Sequence, residues 1–119
     1  MATFVSAVVC TVALVCSPMT VKVIDGDTLR ISDERIRIIG YDAPETNGEC
    51  AAESRLARRS TARLADLIVR GRVVIDRHGL DRFGRTLAHV HVNDKNVAET
   101  LLSEGLMQVW KGRKAEWCK

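Results

Sequence analysis

Short runs of period-two hydrophobicity and two longer runs of helical spacing lay out the elements of this chain. From residue 20, "VKVI" (21–24) and "TLRIS" (28–32) read as a strand pair interrupted at Asp25-Gly26-Asp27. "SDE" turns the chain into "RIRII" (35–39), where Arg35 and Arg37 share one face and Ile36 and Ile38 the other. "YDAPETNGEC" is a loop, because Pro44 holds Ala43 extended and Asn47-Gly48 is a turn pair. Residues 51–70 set Leu56, Leu64, Leu67 and Ile68 at helical spacing, with Gly71 just past the end. "RVVID" (72–76) and "TLAHVHV" (86–92) are strands separated by the charged loop "RHGLDRFGR". "NVAETLLSE" (96–104) is a short helix with Asn93 or Asp94 as candidate cap and Gly105 as terminator. Five short strands and two helices predict a mainly β fold, a small Greek-key barrel of OB type.

The pattern changes before residue 20. Residues 1–21 carry no charged side chain, and "MATFVSAVVCTVALVC" is apolar without alternation. At 16 residues it is short of the roughly 20 that span a bilayer. It suits the apolar core of an export signal, with Val15 and Ser17 before a cut, although no Lys or Arg precedes it. A first strand rich in Val is the other reading. The export signal is favoured, which divides the chain into an apolar leader, 1–19, and a folded domain, 20–119. A secreted or cell-envelope location follows, with the cytoplasm as the alternative.

Length and composition bound the rest. The 119 residues suffice for one domain with a core, and 46% hydrophobic content excludes wholesale disorder. A net charge of +3 permits a polyanionic partner without demanding one. Cys10, Cys16, Cys50 and Cys118 include no C-x-x-C pair, which argues against a zinc knuckle or a thioredoxin-type site. In an exported protein Cys118 would bond to Cys50 or to Cys16 and pin the tail; in a reducing compartment the thiols stay free and buried.

Three polar clusters sit where packing does not require them: Asp25-Gly26-Asp27, then Arg37 with Asp42 and Glu45, then Arg85 within "DRFGR". Carboxylates hold a divalent cation, a further one activates water, and guanidinium forks grip phosphate oxygens. That is the inventory of a phosphodiester hydrolase. Singly, each residue also reads as an exposed charge or an ordinary turn.

"VIDGDT", "RIIGYDAPE" and "DRFGRTLA", in that order, resemble the staphylococcal-nuclease-like (thermonuclease) family over roughly residues 21–110. The resemblance implies an OB-fold barrel with two or three helices and calcium-dependent cleavage of DNA and RNA that leaves 3′-phosphate ends. It assigns Asp27, Asp42 and the backbone carbonyl of Ala43 to Ca2+, and Asp25 to a supporting position beside the ion. It gives Glu45 the general-base role and Arg37 and Arg85 the scissile phosphate. It also implies single-stranded or frayed nucleic acid as substrate, a monomer, and no stable membrane association once any leader is gone.

The match departs from the family in places. The loop after Glu45 is short, and little chain follows Gly105 to form a third helix, so either "WKGRKAEWCK" packs irregularly, tied by Cys118 with Cys50–Cys118 as the candidate bond, or the domain is less stable. The family's nucleotide-holding tyrosines are not evident, which leaves Tyr41 and Trp110 as stacking candidates, with core packing favoured for Trp110. His89 and His91 share a strand face, but no third metal ligand stands near them in the sequence. Arg55, Arg58, Arg59 and Arg63 make a basic helix face read as solvated. Two rivals remain: a catalytically silent OB module that binds nucleic acid or protein, and a zinc hydrolase built on His89, His91 and a cysteine.

Overall fold

The computed structural model describes residues 2–11 and 15–118. Its elements run β1 (Thr3–Cys10), β2 (Cys16–Asp25), β3 (Thr28–Ile31), β4 (Glu34–Ile38), β5 (Tyr41–Asp42), α1 (Ala51–Ile68), β6 (Arg72–Leu80), β7 (Thr86–Val92), β8 (Lys95–Asn96), α2 (Val97–Ser103) and β9 (Gln108–Val109). Six strands close a barrel in the order β4-β3-β2-β1-β6-β7, and β4 meets β7 to complete it. The seams β1–β6 and β4–β7 are parallel, while the other barrel pairs are antiparallel. This is the mainly β, OB-like barrel with two helices, although its wall holds six strands where five were expected.

The extra strand comes from the apolar leader. Thr3–Cys10 pairs along its length with Cys16–Val23, and Val8–Cys10 pairs with Arg72–Val74. Ala7 and Cys10 are buried, and Cys10 is bonded to Cys16. Within the segment read as an export signal, Thr3–Cys10 and the start of β2 from Cys16 belong to the barrel wall; residues 1 and 12–14 of it lie outside the described residues. Unbroken apolarity suits a leader and a strand alike, and Thr3–Cys10 is a strand here.

Period two holds where it was strongest. Ile36 and Ile38 of β4 are buried against Val21, Val23 and Leu29, and Arg37 is turned the other way. β6 runs four residues beyond the predicted "RVVID", to Leu80, bulging at Gly79 (φ +99°) before the turn at 81–85. Asn93 and Asp94, proposed as helix caps, both have positive φ and turn β7 into β8, as a two-residue hairpin requires. Asn96 caps α2 instead, its side chain accepting from the Ala98 N–H at 2.9 Å.

The buried stripe of α1 is made of Glu53, Ala57, Ser60, Thr61, Leu64, Ala65 and Ile68, mostly small residues. Small side chains let the helix approach the β2–β3 turn closely. A Cβ on Gly26 would lie 1.9 Å from Ser60 Oγ. Gly26 is therefore set by that approach, since its φ is not among the positive ones. No described helix is long and apolar enough to cross a membrane.

Candidate active site

The barrel brings the three polar clusters to one mouth. Asp25 ends β2 and Asp27 lies in the turn just before β3, so the Asp-Gly-Asp turn presents both carboxylates at the same rim. Arg37 lies opposite Thr28 on β4, and Asp42, on β5, pairs with Gln108 of β9. Asp25, Asp27, Thr28, Arg37, Asp42, Ala43, Glu45, Arg85, Trp110 and Lys114 line a cavity of about 260 Å³. Tyr41 is the one assigned residue outside it. Its ring packs against the core and its carbonyl accepts from Arg37 Nη1 at 2.7 Å.

The acidic side chains are held by donors that leave oxygen lone pairs facing the cavity. Asp27 accepts from Thr28 Oγ1 at 2.8 Å and from the Ala43 N–H at 2.9 Å. Asp42 accepts from the Ala115 N–H at 2.8 Å, and Thr46 Oγ1 approaches Asp25 at 3.5 Å. Burial, then the charges of Asp27 and Glu45, push the Asp25 carboxyl above the usual aspartate range. Burial pushes Asp42 up as well, with Asp27 adding to it against the Ala115 hydrogen bond and Arg37. Such crowding disfavours the all-anionic state, and a cation among them relieves it. Of the cations lining the cavity, Arg37 is the one paired with these aspartates, its Nη2 3.6 Å from both Asp27 and Asp42, beyond the distance of a strong charge-assisted bond. The donors are all oxygen, the type a hard ion takes, although no three of these carboxylates converge on one point among the described residues.

The arginines are anchored on one side and open on the other. Arg37 Nη1 is spent on the carbonyls of Ile38 and Tyr41, which leaves Nη2 toward the cavity. Arg85 Nε pairs with Asp81 at 2.8 Å, and burial, which would raise the Asp81 carboxyl, is outweighed by its hydrogen bonds to Arg85 and Phe83, which hold it low. The terminal nitrogens of Arg85 are left for another partner.

Three contributors escaped sequence reading. Lys114 bridges Glu45 at 3.2 Å and Glu53 at 2.9 Å. Glu53, 1% exposed, also accepts from the N–H groups of Glu45 and Glu49, and so fixes the loop that carries Glu45. Burial would raise the Glu53 carboxyl, but these backbone bonds and Lys114 bring it below the ordinary range. Phe83, with Arg82 and Arg85 over its ring, lines an adjoining groove of about 510 Å³ together with Trp110. Trp110 is 45% exposed, against the core packing favoured for it. The tail is irregular beyond β9, and a Cys50–Cys118 disulfide ties it to the start of α1. A lysine eleven positions past the end of α2 and a glutamate inside α1 carry no sequence signal of meeting.

Comparison with known proteins adds the last observation. The family model described as "Staphylococcal nuclease homologue" matches residues 35–117. The chain is 40% identical over 93 residues to the "Thermonuclease" of Staphylococcus intermedius, covering 71% of this chain and 54% of that one. It is 33% identical over 97 residues to "Endonuclease YncB" of Bacillus subtilis (strain 168), covering 74% and 45%. With "Protein ParB" of Escherichia coli it shares 31% identity over 111 residues, covering 81% and 59%. The chain spans about half the length of these relatives.

Proposed function

Because the chain belongs to the staphylococcal-nuclease-like family, we propose that its cavity hydrolyses phosphodiester bonds of DNA or RNA with a calcium ion and leaves 3′-phosphate ends. The observation that carries this reading is the convergence of Asp25, Asp27, Asp42, Arg37, Glu45 and Arg85 on one mouth of the barrel. Asp27, Asp42 and the Ala43 carbonyl would hold the ion, with Asp25 beside them. When bound, the ion supplies Lewis acidity toward the phosphoryl oxygens and makes a nearby water more acidic.

The protein's own groups do the rest. Arg37 Nη2 and the terminal nitrogens of Arg85 grip the non-bridging oxygens and meet the charge that grows there during attack. Glu45 takes the proton from the attacking water, in line with the departing 5′ oxygen. To do so it leaves Lys114, and at 57% side-chain exposure it has room to turn. Trp110 and Phe83 offer exposed rings beside the phosphate site, which supports single-stranded or frayed substrate whose bases are free to stack. The two disulfides, Cys10–Cys16 and Cys50–Cys118, support an oxidising compartment, the cell envelope or outside, for a monomeric protein.

One observation favours the rival, a silent binding module: Lys114 already neutralises Glu45. Hydrolysis of denatured DNA separates the two, assayed with calcium, with calcium chelated, and with Glu45→Gln protein. Calcium-dependent cutting that collapses in the variant is the expected result. Well-folded protein that binds DNA yet never cuts it under any divalent ion would establish the binding module instead.

A further inference from the structure

The extension of β6 to Leu80 places His78 on a strand beside the His89 and His91 of β7. Ile75, Ala88 and Val90 point into the core, so the alternating Asp76, His89 and His91 stand on the outer face of the barrel. Asp76 lies directly opposite His89, and Val74 opposite His91. His78 Nε2 is 3.0 Å from Asp76 Oδ2. The rings of His78 and His89 are 5.2 Å apart between centres, and those of His89 and His91 are 6.4 Å apart. Three imidazoles thus surround one carboxylate: the His78 hydrogen bond, against burial, and then all three histidines hold Asp76 below its usual range. The buried Nδ1 of His89 has no hydrogen-bond partner among the described residues.

A first-row metal ion about 2.0–2.1 Å from each ring nitrogen sets two imidazole centres about 5 Å apart at a tetrahedral angle. His78 and His89 already have that separation; His91 has to come about 1 Å nearer His89 and, since it pairs with Val74, four residues from His78 on β6, further than that toward His78. No three donors yet converge on one point among the described residues, so the rings have to turn. His78 and Asp76 are about half exposed and free to do so.

We propose that His78, His89 and His91, with Asp76, form a second metal site for a borderline transition cation such as Zn2+ or Ni2+ on the outer wall of the barrel. Imidazole nitrogen suits such ions, whereas the all-oxygen cavity suits a hard one, so the two sites select different metals. An ion there bridges β6 and β7 just before the turn that carries Arg85, and it stabilises the folded state by binding it alone. The site is independent of the nuclease reading.

The test is titration of the full chain with Zn2+, and separately with Ni2+, by calorimetry in calcium-free buffer, with a thermal melt at each end-point. One ion per chain and a higher Tm are expected. His78→Ala and His91→Ala should each weaken binding by at least about tenfold. Asp25→Asn, in the other cavity, should leave it unchanged. His78, at the exposed end of its strand, is the variant least able to disturb folding, and circular dichroism of each variant checks that. Absence of binding by folded protein overturns the proposal. So does binding that Asp25→Asn removes and the histidine variants spare, or half an ion per chain with dimer formation.

Discussion

Two segments border the same cavity, and they are built on opposite plans. The rim from Asp25 to Glu45 is held by strand register: Thr28 opposite Arg37, and the Ala43 N–H on Asp27. The tail from Trp110 to Cys118 has no regular structure and is held by isolated contacts: Trp110 N–H to Gly40, Ala115 N–H to Asp42, Lys114 to Glu53, and the Cys118 bond to Cys50. A ladder is cooperative, so any one link can weaken without moving the carboxylates. A strap held at separate points, with Gln108 Nε2 on the Glu116 carbonyl among them, depends on each. Chemistry is assigned to the rim and its support to the tail, and variants can separate the two.

The largest expected effect is on the rim. Glu45→Gln should lower the hydrolysis rate by about 10²–10⁴-fold with DNA affinity nearly intact, measured by single-turnover cleavage and by binding in calcium. Unfolding in denaturant should be unchanged, because Glu45 is over half exposed. The tail should show the reverse. Cys50→Ser with Cys118→Ser opens a loop of 68 residues and should cost about 4 kcal/mol by chain entropy, read as a lower denaturation midpoint. Activity per folded molecule should fall far less than in Glu45→Gln. A disulfide-free protein as inactive as Glu45→Gln would mean the tail does chemistry too.

Smaller effects probe single anchors. Lys114→Met leaves the buried Glu53 without its cation and should cost about 3 kcal/mol in the same denaturant assay. Gly26→Ala drives a methyl into Ser60 and should cost about 1–3 kcal/mol, with a loss of calcium affinity as the Asp-Gly-Asp turn shifts.

What could be read from the sequence follows the same division. Asp27, Asp42 and Arg37 stand out because alternation fixes the face of Arg37 and the aspartates sit at breaks in apolar runs, although all three are largely covered at the barrel mouth. β1 was hidden, since eight residues without a charge look alike as a leader and as a strand, and its outward side chains, Phe4 and Val8 among them, are apolar as well. His78 was hidden because the glycine that follows it, Gly79, reads as a loop, whereas here it marks a bulge. The Lys114–Glu53 contact spans 61 positions between an irregular tail and a buried helix face, and no local pattern encodes it. Gly26 was legible as a turn residue, but the partner that requires it, Ser60, lies in α1 and only packing shows it.

The smallest expected effect is the sharpest comparison, because acid acts on the two segments with opposite sign. Glu53 has a folded pKa below the ordinary glutamate value of about 4.3. Its contribution to stability is complete above that value and is lost as pH falls through the lowered folded pKa. Asp25 and Asp42 have folded pKa values above the ordinary aspartate value of about 3.9. In metal-free protein they take up protons in the folded state first, so stability rises as pH falls from above those raised values toward about 3.9. Metal-free protein melted at successive pH values should therefore gain slightly on mild acidification and lose stability below it. Asp42→Asn should remove part of the gain and Glu53→Gln part of the loss. Calcium at neutral pH should raise the melting temperature and abolish the gain, because the carboxylates then have their counter-ion. If the gain persists in saturating calcium, the crowding of Asp25 and Asp42 is not what a metal relieves, and the oxygen cavity is not its site.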